Sequence, residues 1–282
     1  MKHLELSHQD VLNFLPTREN HSHKGDYGKI LLLCGSEGYT GAAALAAMGA
    51  LRSGAGLVYL GVPRAIYMIE AIKLTEAIVF PLPDKCGMLS IDALGEINGK
   101  LERKNAVLIG PGLGISEGTR AVVEHVLQSY NGPVVVDADG INLISQHKDI
   151  LRDRKAPTII TPHEGEFMRF CNCTIEGRKS AACKLAKELG IIVVLKGYET
   201  VITDGETCYI NRTGNPGMAV GGSGDVLAGI ITAFLGQGLD PLQGTACAVW
   251  LHGAAGDLCA KEIGQYGMLP TDVLEVLPLL MK

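Results

Sequence analysis

A glycine-rich stretch with a single acid, GNPGMAVGGSGDVLAGI at residues 214–230, is the part of the sequence best suited to chemistry. An apolar run with the pattern of a helix follows it. The backbone N–H groups just before that helix, those of Gly221, Gly222, Ser223 and Gly224, would therefore point toward one spot. Such a spot attracts anions, and glycine lets a phosphate approach without a Cβ in the way. The stretch predicts a phosphate site.

The acid that follows these glycines, Asp225, repels a phosphate and needs another role. It is placed to act as a general base, taking a proton from a hydroxyl as that oxygen attacks a phosphorus held by the amides. The alternative is a first-turn acid that only stabilises the helix dipole. Four amides ahead of a long apolar helix favour the catalytic interpretation.

Three further strand ends carry polar side chains. TPHEGE has His163 and Glu166, DADGIN has Asp137 and Asp139, and LKGYET has Lys196. The histidine could contact a substrate, the aspartates could hold magnesium through water, and the lysine could meet a phosphate. Each also has a structural alternative. His163 could cap a helix or pair with Glu166, the aspartates could belong to an Asp-Gly turn, and Lys196 could be an edge lysine whose alkyl chain covers apolar surface.

The elements that must position these groups follow from periodicity. Short β-branched runs occur at 29–35, 56–63, 105–112, 133–140, 157–165 and 190–197. Runs that are apolar on both faces and spaced by helix-length segments predict an α/β fold, with a mostly parallel sheet covered by helices on both faces. The carboxyl ends of parallel strands lie at one edge of the sheet, where ligands bind. The polar strand ends should therefore converge there.

The remaining patterns complete the predicted architecture. A small-residue helix is expected at 40–56, an antiparallel hairpin around an Asp-Gly turn at 200–211, and three helices at 225–236, 241–263 and 271–280. No linker or change in composition divides the chain, so we expect one domain over residues 1–282.

Composition excludes several classes of protein. The formal charge is −5, and no run of lysine and arginine forms a basic stripe, which disfavours nucleic-acid binding. No window of about 18 uncharged apolar residues occurs, and the N-terminus lacks the apolar core of a signal peptide, so no membrane association and a cytoplasmic location are expected. Eight cysteines without CxxC spacing indicate buried, reduced thiols. The spacing of GSEGYTG differs from a dinucleotide fingerprint, and no GxxxxGK[ST] loop occurs.

Seven stretches together resemble the ADP- or ATP-dependent NAD(P)H-hydrate dehydratases, a ribokinase-like family. They are LPTRENHSHKGDYGKILLLCGS, GAAALAAMGALRSGAGLV, IGPGLG, VVDADGIN, TPHEGE, VVLKGYETVI and TGNPGMAVGGSGDVLAGII. The resemblance covers nearly the whole chain and is closest to the stand-alone bacterial type. It implies repair of hydrated NADH or NADPH: the ring hydroxyl is phosphorylated at the expense of ADP or ATP, and phosphate is then eliminated.

The resemblance also implies site residues and partners. The hydrate site would comprise Ala43, Gly114, His163 and Asp225. The nucleotide site would comprise Lys196, Gly197, Tyr198, Glu199, Thr200, Gly222, Ser223 and Gly224. Magnesium is the expected cofactor, and a separate NAD(P)H-hydrate epimerase is the expected functional partner. The hairpin and the small-residue helices predict a homo-oligomer, with a tetramer as one candidate. Where the family loop more often reads GGTGD after a threonine, this chain has Val220 and Ser223.

Two alternatives stay open at this stage. The first is a small-alcohol or vitamin-precursor kinase of the same fold, which would share Asp225 and the glycine loop and release a stable phosphorylated product. The second is a nucleotide-binding regulator without catalysis. The choice between ADP and ATP is also open.

Overall fold

A single large sheet organises the chain. The computed structural model describes residues 2–172 and 174–282. The twelve strands of this part of the chain are β1 (Lys2–Leu4), β2 (Lys29–Leu33), β3 (Leu57–Pro63), β4 (Ile78–Leu82), β5 (Asp84–Lys85), β6 (Met88–Leu89), β7 (Ala106–Ile109), β8 (Val134–Val136), β9 (Thr158–Ile160), β10 (Ile192–Leu195), β11 (Thr200–Thr203) and β12 (Thr207–Asn211). Ten of them form one sheet in the order β1-β12-β11-β10-β9-β8-β7-β2-β3-β4, while β5 and β6 form a separate antiparallel pair.

Helices cover both faces of this sheet. They are α1 (His8–Phe14), α2 (Thr40–Arg52), α3 (Tyr67–Lys73), α4 (Leu94–Leu101), α5 (Glu117–Ser129), α6 (Asp139–Leu143), α7 (Asp149–Asp153), α8 (Glu164–Cys171), α9 (Arg178–Leu189), α10 (Ser223–Gly236), α11 (Pro241–Ile263) and α12 (Pro270–Val276). Buried residues of α2, α10, α11 and α12 form one core, and those of α4, α5, α8 and α9 form the other. No helix of the described residues is both long and apolar enough to cross a membrane.

The predicted α/β architecture is confirmed. From β4 through β10 the neighbouring strands are parallel, and β11 then reverses direction against both β10 and β12. This reversal is the predicted hairpin. Helix α11 has the predicted bounds, whereas α2 ends at Arg52, where the hydroxyl of Ser53 donates to the carbonyl of Gly49 at 2.7 Å and completes the last turn.

Two strands of the large sheet lie at its edges and were not predicted. β1 has only three residues and pairs in parallel with β12. β4 reads IVFPL, and its proline disfavours a central strand but is tolerated at the edge, where one side of the strand has no neighbour to receive an N–H. The predicted burial is confirmed for Cys34, Cys183, Cys208, Cys247 and Cys259 but is wrong for Cys86, which is exposed, and Cys171 is half-buried. Cys173 lies outside the described residues.

Helices α2 and α10 pack backbone against backbone because each has a glycine at the contact. A Cβ on Gly229 would lie 2.1 Å from the carbonyl oxygen of Ala46, and a Cβ on Gly49 would lie 2.5 Å from that of Val226. Backbone cannot yield as a flexible side chain can. This contact therefore fixes α10 against α2, and with α10 the end of the glycine loop that leads into it.

We predict that Gly229→Ala destabilises the protein by about 1–3 kcal/mol, because the added methyl group forces α2 and α10 apart. The matched control is Gly99→Ala on α4, where a Cβ meets nothing within 4 Å. That substitution should instead stabilise by up to about 1 kcal/mol, since alanine favours a helix over glycine. Urea unfolding of both variants checks the contrast, and equal effects would contradict the close-packing argument.

Candidate active site

The glycine loop turns into α10 at Ser223. Gly222 is the N-cap residue with φ +99, a conformation that side-chain-bearing residues rarely adopt, and a Cβ there would also lie 2.4 Å from Leu45 Cδ1. The N–H of Ser223 donates to the carbonyl of Val220 at 3.3 Å. The amide of Ser223 is therefore engaged within the loop. The anion site predicted from four amides depends mainly on the three glycine amides next to Ser223.

Asp225 lies in the first turn of α10 and is partly buried. Burial, followed by the charge of Asp137, raises the pKa of Asp225 to about 7, with smaller contributions from Asp139 and Glu166, while Lys196 acts in the opposite direction. A carboxyl group with that pKa exchanges a proton readily near neutral pH. Asp225 thus has the property that a general base needs.

Lys196 is the cation at the centre of these acids. Its Nζ lies 3.0 Å from Asp137 Oδ1 and 4.0 Å from Glu166 Oε2. It also lies 3.3 Å from the point where a Cβ of Gly224 would stand. Burial alone would lower the pKa of Lys196, but the charges of Asp137, Glu166 and Asp225 raise it above the ordinary value. Lys196 is therefore a fixed positive charge at the start of α10, rather than an edge lysine.

Asp137 holds this cation at the end of β8. Its side chain is 1% exposed, and Oδ1 also accepts a hydrogen bond from the Thr161 hydroxyl at 2.6 Å. The next residue, Ala138, has φ +49, a strained conformation for alanine. The strained residue connects two aspartates, Asp137 and Asp139, that face the same site.

Asp139 connects the centre to the GPGLG segment. Its Oδ2 accepts the backbone N–H of Gly114 at 2.8 Å, and Gly114 itself has φ +74. Among the residues that the structure describes, no group of three or more histidine, cysteine or acidic side chains has the arrangement of a metal site. Carboxylate oxygens are the ligands that Mg²⁺ prefers, and Asp137 and Asp139 are the acids of this region that would hold such an ion through water.

His163 is the N-cap of α8. Its Nδ1 accepts the N–H groups of Gly165 at 3.0 Å and Glu166 at 3.4 Å, and its Nε2 lies 3.7 Å from Glu166 Oε1. The structural alternative of a cap paired with Glu166 is therefore present. The side chain is still 54% exposed, and the backbone bridges to Lys196, so a substrate contact stays a prediction compatible with this geometry.

The other predicted residues differ in exposure. In the KGYET segment Tyr198 is 88% exposed, Glu199 has φ +53 and pairs with Arg212 at 3.1 Å, and the Thr200 hydroxyl donates to the carbonyl of Gly197. Ala43, in contrast, is fully buried against Gly35. Its side chain packs against the loop after β2, and its predicted place in the hydrate site stays a prediction.

Two side chains near the site were not predicted from the sequence. Arg178 lies against Gly197, where it donates to the carbonyl of Leu195 at 2.9 Å and pairs with Glu164. His252 of α11 lies beside Ser223. No local signal marks Arg178, whereas HGAAGD is a compact motif that could have drawn attention to His252.

The fold of this chain occurs in other proteins of known structure. Kinases such as hydroxyethylthiazole kinase of Pyrococcus horikoshii and ribokinase of Arabidopsis thaliana, at 15% and 14% identity with TM-scores of 0.62, share the fold alone. The fold is thus ribokinase-like. Residues 30–279 match the family model described as NAD(P)H-hydrate dehydratase, and the chain belongs to that family.

Individual relatives extend over nearly all of the chain. A bifunctional NAD(P)H-hydrate repair enzyme of Moorella thermoacetica is 44% identical over 95% of the chain, which spans 52% of that relative. The chain thus spans about half the length of the first curated relatives it matches. ADP-dependent (S)-NAD(P)H-hydrate dehydratase of Bacillus subtilis is 37% identical, covering 95% of this chain and 94% of its own. A structure of the Bacillus subtilis ADP/ATP-dependent NAD(P)H-hydrate dehydratase co-crystallised with ATP and Mg²⁺ has a TM-score of 0.84, 34% identity and coverage of 97% and 96%.

We predict that Asp225→Asn makes the fold more stable at alkaline pH. The folded-state pKa of about 7 lies above the ordinary 3.8, so the protonated form favours folding and this contribution is lost as pH rises toward 7. Asparagine avoids that loss. After allowance for partial exposure, the variant should gain about 1–3 kcal/mol over wild type at pH 8 and progressively less toward pH 4.

Urea unfolding between pH 5 and 8 measures this difference. The control is Asp153→Asn, which removes an exposed acid outside the site. A stability difference for Asp225→Asn that did not grow with pH would contradict the raised pKa.

Proposed function

We propose that this protein dehydrates hydrated NADH or NADPH of the S configuration with ADP or ATP as co-substrate, as a carbon–oxygen lyase of metabolite repair. The observation that carries the proposal is Asp225, a base with a pKa of about 7, next to the glycine loop and the fixed cation of Lys196. Family membership and the name of the Bacillus subtilis relative support it. Within the family, this relative leads us to favour ADP, which would yield AMP.

The proposed chemistry has two steps. Asp225 takes the proton of the ring hydroxyl as its oxygen attacks the terminal phosphorus, and the bond from that phosphorus to the leaving nucleotide breaks. Phosphate then leaves the ring carbon with the C–O electron pair while the adjacent carbon loses a proton, which restores the ring double bond. The glycine amides and Lys196 would stabilise the negative charge on the transferring phosphoryl group.

We assign the two ligands to adjoining parts of the site. The hydrate would lie against Gly114, His163 and Asp225, beside the α2 segment that contains Ala43. The nucleotide would lie against Lys196–Thr200 and Gly222–Gly224. Magnesium would arrive with the nucleotide and neutralise part of its negative charge. This would reduce the repulsion between the phosphates and the acids of the site, where Lys196 is the lysine that offsets them. The sheet common to all these segments supports a single domain over residues 1–282.

The decisive experiment incubates hydrated NADH with the protein, Mg²⁺ and either ADP or ATP, and follows the absorbance of reduced nicotinamide. We expect recovery with at least one nucleotide, together with release of phosphate. Asp225→Asn should lower the rate by about 10²–10⁴-fold while nucleotide binding persists. A stable phosphorylated product would favour the kinase alternative, and unchanged turnover in Asp225→Asn would exclude the acid as base.

The same assay addresses an epimerase partner. The bifunctional name of the Moorella thermoacetica relative supports the proposal that a separate epimerase supplies the S epimer to this protein. A mixture of epimers should then be repaired only in part until an NAD(P)H-hydrate epimerase is added. We also propose a cytoplasmic location, where NADH and NADPH are made and used.

We propose a homo-oligomer, with a tetramer as one candidate. An apolar face on α3 and the neighbouring edge strand β4 supports it: Met68 is 65% exposed, Ile72 78% and Ile78 43%. Exposed apolar patches beside an open sheet edge favour association. In size-exclusion chromatography with light scattering, wild type should exceed the monomer mass of 29.9 kDa, and Ile72→Glu should reduce its size. The control Ile263→Glu changes an exposed isoleucine at the end of α11; a monomeric wild type would contradict the proposal.

A further inference from the structure

The segment HGAAGD of α11, residues 252–257, lies along the loop that joins β12 to α10. At the start of this loop Asp257 accepts the N–H of Gly214 at 2.8 Å and the Nδ2 of Asn215 at 3.0 Å. Gly253 lets the chain pass close to the helix, because a Cβ there would lie 2.3 Å from Thr213 Oγ1. The loop is therefore held along one side by α11.

His252 contacts the other end of the same loop. Its Nε2 lies 3.4 Å from Ser223 Oγ, and its side chain is nearly buried, at 8% exposure. Burial first, and then the charge of Lys196, lower the pKa of His252 to about 4, against a weaker opposing effect of the Ser223 backbone. The imidazole is thus neutral near pH 7, and a neutral imidazole has one N–H donor and one acceptor nitrogen.

The direction of the hydrogen bond between these two side chains decides what Ser223 offers to an anion. A serine hydroxyl has a single proton. If that proton points to His252, the oxygen lone pairs are left for the phosphate, which repels them. If instead Nε2–H donates to Ser223 Oγ, the hydroxyl proton stays free to bind a phosphate oxygen. The second arrangement would therefore add a hydroxyl donor to a phosphate site formed by the glycine amides, whereas the first would not.

We propose that His252 is a positioning residue that donates its Nε2–H to Ser223 and so directs the serine hydroxyl proton to the nucleotide phosphate. This inference rests on the nucleotide site of the proposed function. His252 itself touches no substrate; it acts through Ser223, while Asp257 and Gly253 hold the start of the loop in place.

A double-mutant cycle read out by ADP binding tests the coupling. The variants are Ser223→Ala, His252→Leu and the pair, with dissociation constants for ADP and Mg²⁺ from calorimetry and KM and kcat from the repair assay. We expect Ser223→Ala to weaken ADP binding about ten- to a hundredfold, the range of one hydrogen bond to a charged group. His252→Leu should weaken it about two- to tenfold, because the hydroxyl remains but is no longer directed. The pair should be no weaker than Ser223→Ala alone, since His252 would have no hydroxyl to direct.

Two further variants separate positioning from structure. His252→Gln retains an N–H donor and should restore most of the affinity for ADP, but only while Ser223 is present; this comparison also decides the matter if His252→Leu fails to fold. Cys247→Ala loosens the buried packing of α11 elsewhere and should lower the melting temperature without changing ADP affinity. The inference is overturned if the two single losses of ADP affinity multiply in the double mutant. It is also overturned if His252→Gln restores ADP affinity in the absence of Ser223. A wild type that binds ADP but does not repair the hydrate contradicts the proposed function alone.

Discussion

The ion pair between Lys196 and Asp137 is the constraint on which the site depends. Their contact of 3.0 Å joins the ends of β8 and β10, two strands separated by β9 in the sheet. Three further carboxylates, Asp139, Glu166 and Asp225, contribute negative charge to the same region. Lys196 is the cation that offsets these carboxylates in their effect on Asp225, and without it burial would favour protonation of the acids.

In the proposed function, the ion pair would also set the balance between phosphate binding and proton transfer. A phosphate needs positive charge, which the ammonium group and the start of α10 supply. A base needs a pKa high enough to accept a proton, which burial and the neighbouring acids give Asp225. In the proposed function, one cation among several acids would satisfy both needs, because Lys196 is paired with Asp137 and only partly offsets the effect of the acids on the pKa of Asp225. The cost is a fold that is less stable at alkaline pH than it would be with a neutral residue at that position.

Rigid packing keeps these charges in place. α10 is fixed from one side by the glycine contacts with α2, and the loop before it is held by Asp257 and His252 of α11. The sheet supplies the other half of the site through strand ends at its carboxyl edge. Backbone strain at Ala138 occurs between two of the acids, where a tightly determined turn directs both toward the same space.

The sequence by itself determined the local elements of this protein: the six apolar strands, the hairpin after LKGYET, the bounds of α11 and the glycine loop before α10. Each is encoded by neighbouring residues, through periodicity, turn chemistry or a proline at a helix start. It missed β1, which is too short to show a pattern, and β4, whose proline is acceptable only at an edge. The sequence left His163 as either a helix cap or a substrate contact, and the structure shows the cap. Only the tertiary structure decided that Lys196 pairs with Asp137 and that His252 lies at Ser223. Those contacts join residues that are far apart in the chain, and their effect depends on burial and on neighbouring charges. A local sequence pattern encodes neither the contacts nor their surroundings.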